Sequence, residues 1–249
     1  MMRAGYLVVG ALCYAAFFVS FVYFIGFIAG FSLLPTHVDK GLFDHGPDAS
    51  VGWAVLIDLL LIAVFGLQHS VMARKGFKAW WTAIVPEGAE RSVYCLASAL
   101  ALGAMFLFWH PIDAVVWNVT SPLGRGILWA IFLLGVGVVF ISTWLINHFE
   151  LFGLAQSWRA MLGSQPTEVP FRTPLFYRLV RHPIYTGFTI ALWAVPYMTF
   201  GHLLLSGALT VYILIGISYE ERDLVDRFGA KYEEYRSKVS MLLPLPRGK

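Results

Sequence analysis

The chain has 249 residues, of which 58% are hydrophobic, 16% aromatic and only 13% charged, with a formal net charge of +3. A soluble domain carries about 25% charged residues, so half the usual solvating charge is missing, and mean hydropathy is +0.69. A soluble globule, a disordered chain and a coiled coil are excluded, which leaves an integral membrane protein whose apolar residues face lipid as well as each other.

A spanning helix needs about 20 mostly apolar residues. The first such run extends from Tyr6 to about Leu34 with no charge in it, too long and without the small-residue cleavage site of a signal peptide. The second runs from about Val51 to Val71, interrupted by Asp58, Gln68 and His69. The third covers Ser92 to Trp109 and the fourth Gly126 to Ile146. The last stretch, Ile184 to Tyr219, is 36 residues, too long for one crossing, and Pro196 with Gly201-His202 marks its middle as the turn of a helical hairpin. The fold class is thus an all-α membrane bundle of six crossings, or five if the hairpin does not fully traverse, followed by a charged helical tail. Cys13 and Cys95 are the only cysteines, each inside an apolar run, so neither a disulfide framework nor a zinc ribbon is indicated. No metal site is expected.

Sixteen of the 18 Lys and Arg fall before the first run, after the second, after the fourth or beyond Tyr219; only Lys40 and Arg125 fall on the other side. This asymmetry puts both termini in the cytoplasm, as for an inner-membrane multi-pass protein, and so requires an even number of crossings. Two cytoplasmic segments exceed simple connectors. His148 to Leu162 alternates at helical spacing like an interfacial helix, and Glu220 to Val239 keeps Leu224, Val225 and Phe228 as an apolar stripe on a helix. No nucleic-acid or protein partner is indicated; the bilayer is.

The most specific string is Arg181-His182-Pro183-Ile184-Tyr185-Thr186-Gly187. Pro183 suits a first helical turn, and Gly187 lets a backbone or ligand approach closely. Arg181 and His182 then stand at a positively polarised helix start, suited to a carboxylate or phosphate; a snorkelling arginine beside a helix-starting proline accounts for the string equally well. Glu220-Glu221 end the sixth run, where carboxylates oppose the helix dipole unless a cation such as Arg222, Arg178 or a ligand compensates. A hairpin would return them beside Arg181-His182, giving the opposite charges that a zwitterionic ligand needs.

Arg-His-Pro-x-Tyr-x-Gly followed about 30 residues later by Glu-Glu resembles the C-terminal signature of membrane methyltransferases, among them the isoprenylcysteine carboxyl and phospholipid N-methyltransferases. Phe228-Gly229-x-x-Tyr232-x-x-Tyr235, ending near Pro244, is similar to their extension. The resemblance implies S-adenosylmethionine as cofactor, held by Arg181, His182, Tyr185, Gly187, Glu220 and Glu221; Pro183 and Arg178 are further candidates beside them, and His148, Glu150 and Gln156, at the start of the interfacial helix and two turns on, are placed to close the cleft from the side. Surface solvation explains the last three as readily.

The first half departs from those enzymes. Phe65-Gly66-Leu67-Gln68-His69-Ser70-Val71-Met72-Ala73-Arg74, Glu90-Arg91-Ser92-Val93-Tyr94, His148-Phe149-Glu150-Leu151-Phe152-Gly153-Leu154 and Thr173-Pro174-Leu175-Phe176-Tyr177 resemble the methanethiol S-methyltransferase group and its NnrU-like relatives. That resemblance implies residues 1–123 as acceptor-side helices, residues 124–249 as the cofactor half, and conversion of methanethiol to dimethyl sulfide with S-adenosylhomocysteine as co-product. A cysteine-like thiol has a pKa of about 8.5 and is only about 3% ionised at pH 7, so a base or positive field is useful. His69 is the candidate base or hydrogen-bond partner, with Arg74, Arg91 and Tyr94 at the same end; a polar helix-end histidine satisfied by a neighbouring span is the plainer reading. Asp58 shares a helical face with Phe65 and His69 but stands about 16 Å from His69 at 1.5 Å per residue. A prenyl-cysteine or phospholipid acceptor, a sterol-reductase-like NADPH enzyme, a haem carrier and a non-catalytic NnrU-like protein are the alternatives.

Overall fold

The computed structural model describes residues 3–30, 47, 49–164 and 171–245. Lys40, Arg247, Lys249 and most of the outer loop Pro35–Ser50 lie outside them. Among the described residues the chain is almost wholly helical. Five helices are long and apolar enough to cross a membrane: α1 (Arg3–Ala29), α2 (Val51–Ala73), α4 (Glu87–Phe108), α5 (Pro122–Ile146) and α9 (Phe200–Phe228). Between and after them lie α3 (Lys75–Trp81), α6 (His148–Leu151), α7 (Leu154–Leu162), α8 (Pro183–Trp193) and α10 (Ala230–Lys238), with two short strands, β1 (Val115–Asn118) and β2 (Tyr197–Thr199). Large side chains such as Leu12, Leu67, Leu107 and Leu134 stand exposed along the long helices, as a lipid-facing surface requires.

The chain forms two compact units. The first comprises Met1–Ala114, His148–Glu168 and Thr199–Leu205. In it α1, α2 and α7 pack on α4 and α1 packs on α7, through small residues. A Cβ on Gly10 would stand 2.5 Å from Ser157 Oγ, and Ser157 in turn bonds Ser92 Oγ at 3.0 Å and donates to the Gly88 carbonyl at 3.1 Å. The interfacial helix expected over His148–Leu162 is broken in two. Gly153 takes φ +89°, and any Cβ there would meet Ser92 N at 2.6 Å. Only glycine fits that close turn.

The second unit comprises Val115–Asn147, Val169–Met198 and Ser206–Lys249. Ser121 Oγ caps α5 by accepting from Gly124 N–H at 3.1 Å, with Pro122 at the first helical position. Helices α5 and α8 cross antiparallel, with Gly135 against Gly187 and Ala191, and Gly187 against Val139. A Cβ on Gly187 would lie 2.5 Å from the Gly135 carbonyl oxygen. Gly187→Ala is therefore expected to lower stability by about 1–3 kcal/mol, the cost of overpacking. Thermal unfolding of purified protein in detergent measures it, and an unchanged transition would refute the close crossing.

The hairpin expected as two helices is different. Its second arm is α9, but its first arm is helical only over the 11 residues of α8, about 16 Å at 1.5 Å per residue, half of a hydrocarbon core of about 30 Å. Pro196 supplies no N–H and drives the residue before it out of helical geometry. The chain runs on extended to β2, which pairs with β1; Val119 N–H donates to the Pro196 carbonyl at 2.8 Å and Trp117 Nε1–H to that of Val195 at 2.9 Å. The turn thus reaches the N-terminal end of α5, so helix and extended segment together run its length. Ser206 and Thr210 on α9 bond Leu192 and Trp193 of α8 and close the hairpin.

Candidate active site

The second unit gathers charges from the start of α8, from within α9 and from the last turn of α10 into one cluster. His182 precedes α8, and Arg181 beside it is 6% exposed. Arg181 donates from Nε and Nη2 to Glu221 Oε1 at 2.7 and 2.6 Å, and from Nη1 to the carbonyls of Arg236 and Val239 at 3.2 and 2.5 Å. His182 Nε2 lies 3.2 Å from the same carboxylate oxygen, and Arg236 Nε 3.8 Å from the other. Glu220 and Glu221 do not end their helix, because α9 runs on to Phe228, and the cation that offsets Glu221 is Arg181, not Arg222, Arg178 or a ligand. The chain after α10 is drawn in as well. Arg181 and His182 N–H donate to Ser240 and Met241 carbonyls at 2.8 and 3.2 Å, and Thr186 Oγ1 to that of Leu242 at 2.9 Å.

Arg181 is thus committed to the protein by all three guanidinium nitrogens. Glu220, with its side chain 45% exposed and its Oε2 3.8 Å from His182 Nδ1, is the more exposed of the two carboxylates. Tyr185 sits beside the His182 ring at 5.7 Å between centroids. Gly187 is spent on the α5 crossing, and Arg178 lies on the exposed 3-10 turn Leu175–Arg178. Gln156 belongs to the first unit, where its Nε2–H donates to the Glu150 carbonyl at 2.8 Å.

Sequence reasoning quoted Phe228, Tyr232 and Tyr235 as a family pattern but not as the aromatic cluster that they form here with Phe171. Phe171, Phe228, Tyr232 and Tyr235 pack at 5.2 to 6.0 Å between centroids. Burial pushes the Tyr235 hydroxyl up to about 12, and it donates to the Tyr177 carbonyl at 2.5 Å. Burial also pushes Tyr232 up, with the Glu221 carboxylate adding to the rise. Tyr232 is 1% exposed and its hydroxyl has no partner among the described residues. Its signal in the sequence is the Tyr232-x-x-Tyr235 spacing after Gly229, which takes φ +55° where α9 gives way to α10.

The first unit assembles a second cluster. His69, near the end of α2, meets Tyr94 and Ser98 on α4: Tyr94 Oη lies 2.8 Å from His69 Nε2, and Ser98 Oγ 3.1 Å from Nδ1. Phe65 stacks on the imidazole at 5.4 Å. The Arg91 guanidinium lies 4.7 Å above the Tyr94 ring and donates through Nε to the Leu151 carbonyl at 2.7 Å. Arg74 sits at the corner between α2 and α3. Ser98 was not singled out from sequence; its place four residues after Tyr94, on the same helix face, is the signal.

Asp58 belongs elsewhere, fully buried with Oδ1 accepting from His110 N–H at 2.9 Å. His148 bonds the Tyr14 hydroxyl at 2.7 Å, and burial lowers its pKa, which favours the neutral ring. Glu150 forms a two-bond pair with Arg159 at 2.8 and 2.6 Å. Among the described residues no group of three His, Cys, Asp or Glu side chains can hold a metal ion.

The NnrU protein family matches residues 57–243. A methanethiol S-methyltransferase of Mycobacterium tuberculosis is 48% identical over 99% of this chain and 98% of its own length. One from Pseudomonas deceptionensis is 52% identical over 81% of this chain and 77% of its own. Human nurim is 31% identical over 72% and 75%. No solved structure matches.

Proposed function

The chain belongs to the NnrU family, alongside methanethiol S-methyltransferases, and from that premise we propose that it methylates methanethiol with S-adenosylmethionine, releasing dimethyl sulfide and S-adenosylhomocysteine. The likeness over 99% of the chain to the M. tuberculosis enzyme carries this reading, because it spans both clusters. The larger-acceptor and NADPH alternatives have no such support.

The donor set of the second unit fits S-adenosylmethionine. The Glu220 carboxylate suits a ligand ammonium or hydroxyl, His182 Nδ1 lies beside it, and the buried Tyr232 hydroxyl adds an unpartnered hydrogen-bonding group. The Arg181–Glu221 pair ties together the segments that carry them. When bound, the cofactor supplies a methyl group on a cationic sulfur, open to in-line attack by a thiolate. In the first unit, His69, Tyr94 and Arg91 join an imidazole, a hydroxyl and a positive charge, the kinds of group that handling a thiol proton calls for.

A headspace assay on purified protein with S-adenosylmethionine and methanethiol is expected to yield dimethyl sulfide, with prenyl-cysteine analogues unmethylated. Methylation of the analogues alone would replace methanethiol as the acceptor. The charge asymmetry supports an inner-membrane protein with both termini cytoplasmic. A reporter fused after Lys249 that is active only outside the cytoplasm is expected to be silent; a strong signal would overturn this topology.

A further inference from the structure

Directly behind the charged helix α10 the sequence turns apolar, as Met241-Leu242-Leu243-Pro244-Leu245. That stretch runs alongside the start of α8. Val180 and Ser240 form a parallel bridge, the Arg181 and His182 N–H groups donate to the Ser240 and Met241 carbonyls, and Thr186 Oγ1 donates to that of Leu242. Successive residues of this strap are thus bound further and further along α8, so the depth of α8 in the bilayer sets the depth of the strap. Helix α5 supplies the ruler. Its 25 residues span about 37 Å, which exceeds a hydrocarbon core of about 30 Å by about 4 Å at each end. Gly187 packs on Val139, which lies about 10 Å before Ile146, the last residue of α5. Thr186 therefore lies about 5 Å inside the hydrocarbon boundary, and the Leu242 carbonyl with it.

We propose that the strap re-enters the bilayer on the side where α5 ends, and that lipid acyl chains just below the headgroups are the partner of Leu243 and Leu245. These two side chains follow the Leu242 anchor and are 62% and 65% exposed. An apolar surface at that depth meets hydrocarbon, as the buried face of an interfacial segment does. The backbone of the tip suits such surroundings. Pro244 brings no N–H, Leu245 N–H donates to the Leu243 carbonyl, and Ser240 Oγ donates to that of Leu245, both at 2.7 Å. Polar groups bonded within the segment are what a water-free medium demands. The strap begins next to Val239, whose carbonyl Arg181 grips. Contact with lipid therefore holds in place the last segment of the charge cluster.

The test attaches a nitroxide to Leu243→Cys, to Leu245→Cys and, for comparison, to Glu234→Cys at an exposed position of α10. The full-length protein is held in nanodiscs of phosphatidylcholine and phosphatidylglycerol. Cys13 and Cys95 are buried, and protein without an added cysteine, treated identically, gives the background. Collisions with oxygen, which concentrates in lipid, are compared with collisions with a water-soluble nickel chelate. The oxygen-to-chelate ratio at Leu243→Cys and Leu245→Cys is expected to exceed that at Glu234→Cys several-fold. A ratio as low as at Glu234→Cys puts the strap in water and overturns the proposal. A label shielded from both reagents puts it against protein, of this chain or a second copy, and overturns it equally. In the same nanodiscs, Leu243→Asp/Leu245→Asp is expected to speed hydrogen exchange of the Arg181 and His182 amides several-fold, because local opening becomes easier. Unchanged exchange overturns the hold of the lipid contact on the cluster. Neither measurement depends on methyltransferase activity.

Discussion

Replacing Arg181 by methionine is expected to cost about 3–5 kcal/mol of stability, the range for removing one partner of a buried ion pair. The side chain of Arg181 is 4% exposed and that of Glu221 13%, so water does little to replace the lost cation. The substitution strips Glu221 of its two guanidinium bonds and leaves the Arg236 and Val239 carbonyls without their donor. Three chain segments come loose together: the start of α8, the Glu221 turn of α9 and the stretch from the last turn of α10 onward. Binding of S-adenosylmethionine should fail as a consequence, although Arg181 has no nitrogen left over for it. Denaturant or thermal unfolding in detergent measures the stability change, and calorimetry the binding. The double variant Arg181→Met/Glu221→Leu is expected to regain much of the stability, since no buried charge is then left unpaired, but not the binding. An Arg181→Met protein that unfolds like wild type and binds the cofactor would falsify the role given to this knot.

His69→Ala is expected to lower the methylation rate by up to about 10²–10⁴-fold, the usual contribution of general-base assistance. Cofactor affinity should change little, because every contact found for the Arg181–Glu221 cluster comes from the second unit itself. The pH dependence has a definite sign. A cysteine-like thiol, about 3% ionised at pH 7, is half ionised near its pKa of about 8.5. The variant's rate should therefore climb with pH across that range while the wild-type rate climbs less steeply. Full activity of His69→Ala at pH 7 would remove the residue from the mechanism; lost cofactor binding would reassign it to the other cluster.

The long helices were legible because a run of apolar residues without charge has one physical outcome in a bilayer. Tyr6–Leu34 and Gly126–Ile146 needed nothing but length, and the described helices α1 and α5 follow them closely. The hairpin was half legible. Pro196 marked a turn, but its missing N–H also ended α8 early, at Trp193, and gave an extended arm that periodicity does not record. The interfacial segment was read as one helix because Gly153 looked like any other glycine; the left-handed turn answers to Ser92, some 60 residues away. Pairing was the least legible part. Arg181 and Glu221 are 40 residues apart, and nothing local tells an arginine bound to its own protein from one that awaits a ligand. Ser98 passed unnoticed, and Tyr232 entered only as part of a family pattern, for the same reason: a serine in an apolar helix and a tyrosine in a charged tail acquire meaning only from what surrounds them.

The docking of Ser240–Leu242 along Arg181–Thr186 also bears on how the protein is made. Chains emerge from the ribosome N-terminus first, at about 5–20 residues per second. Arg181 is synthesised 58 residues before the Val239 carbonyl that it grips, and by then every spanning helix has already been translated. For several seconds the nascent protein holds its spans without its charge cluster, and Arg181, Glu221 and Arg236 face water and headgroups separately. The cluster in which the cofactor is proposed to sit is therefore completed only after the last spanning helix has been made. On that proposal, a ribosome stalled a few residues short of Ser240 is expected to leave a chain with its spanning helices made and its S-adenosylmethionine site unfinished.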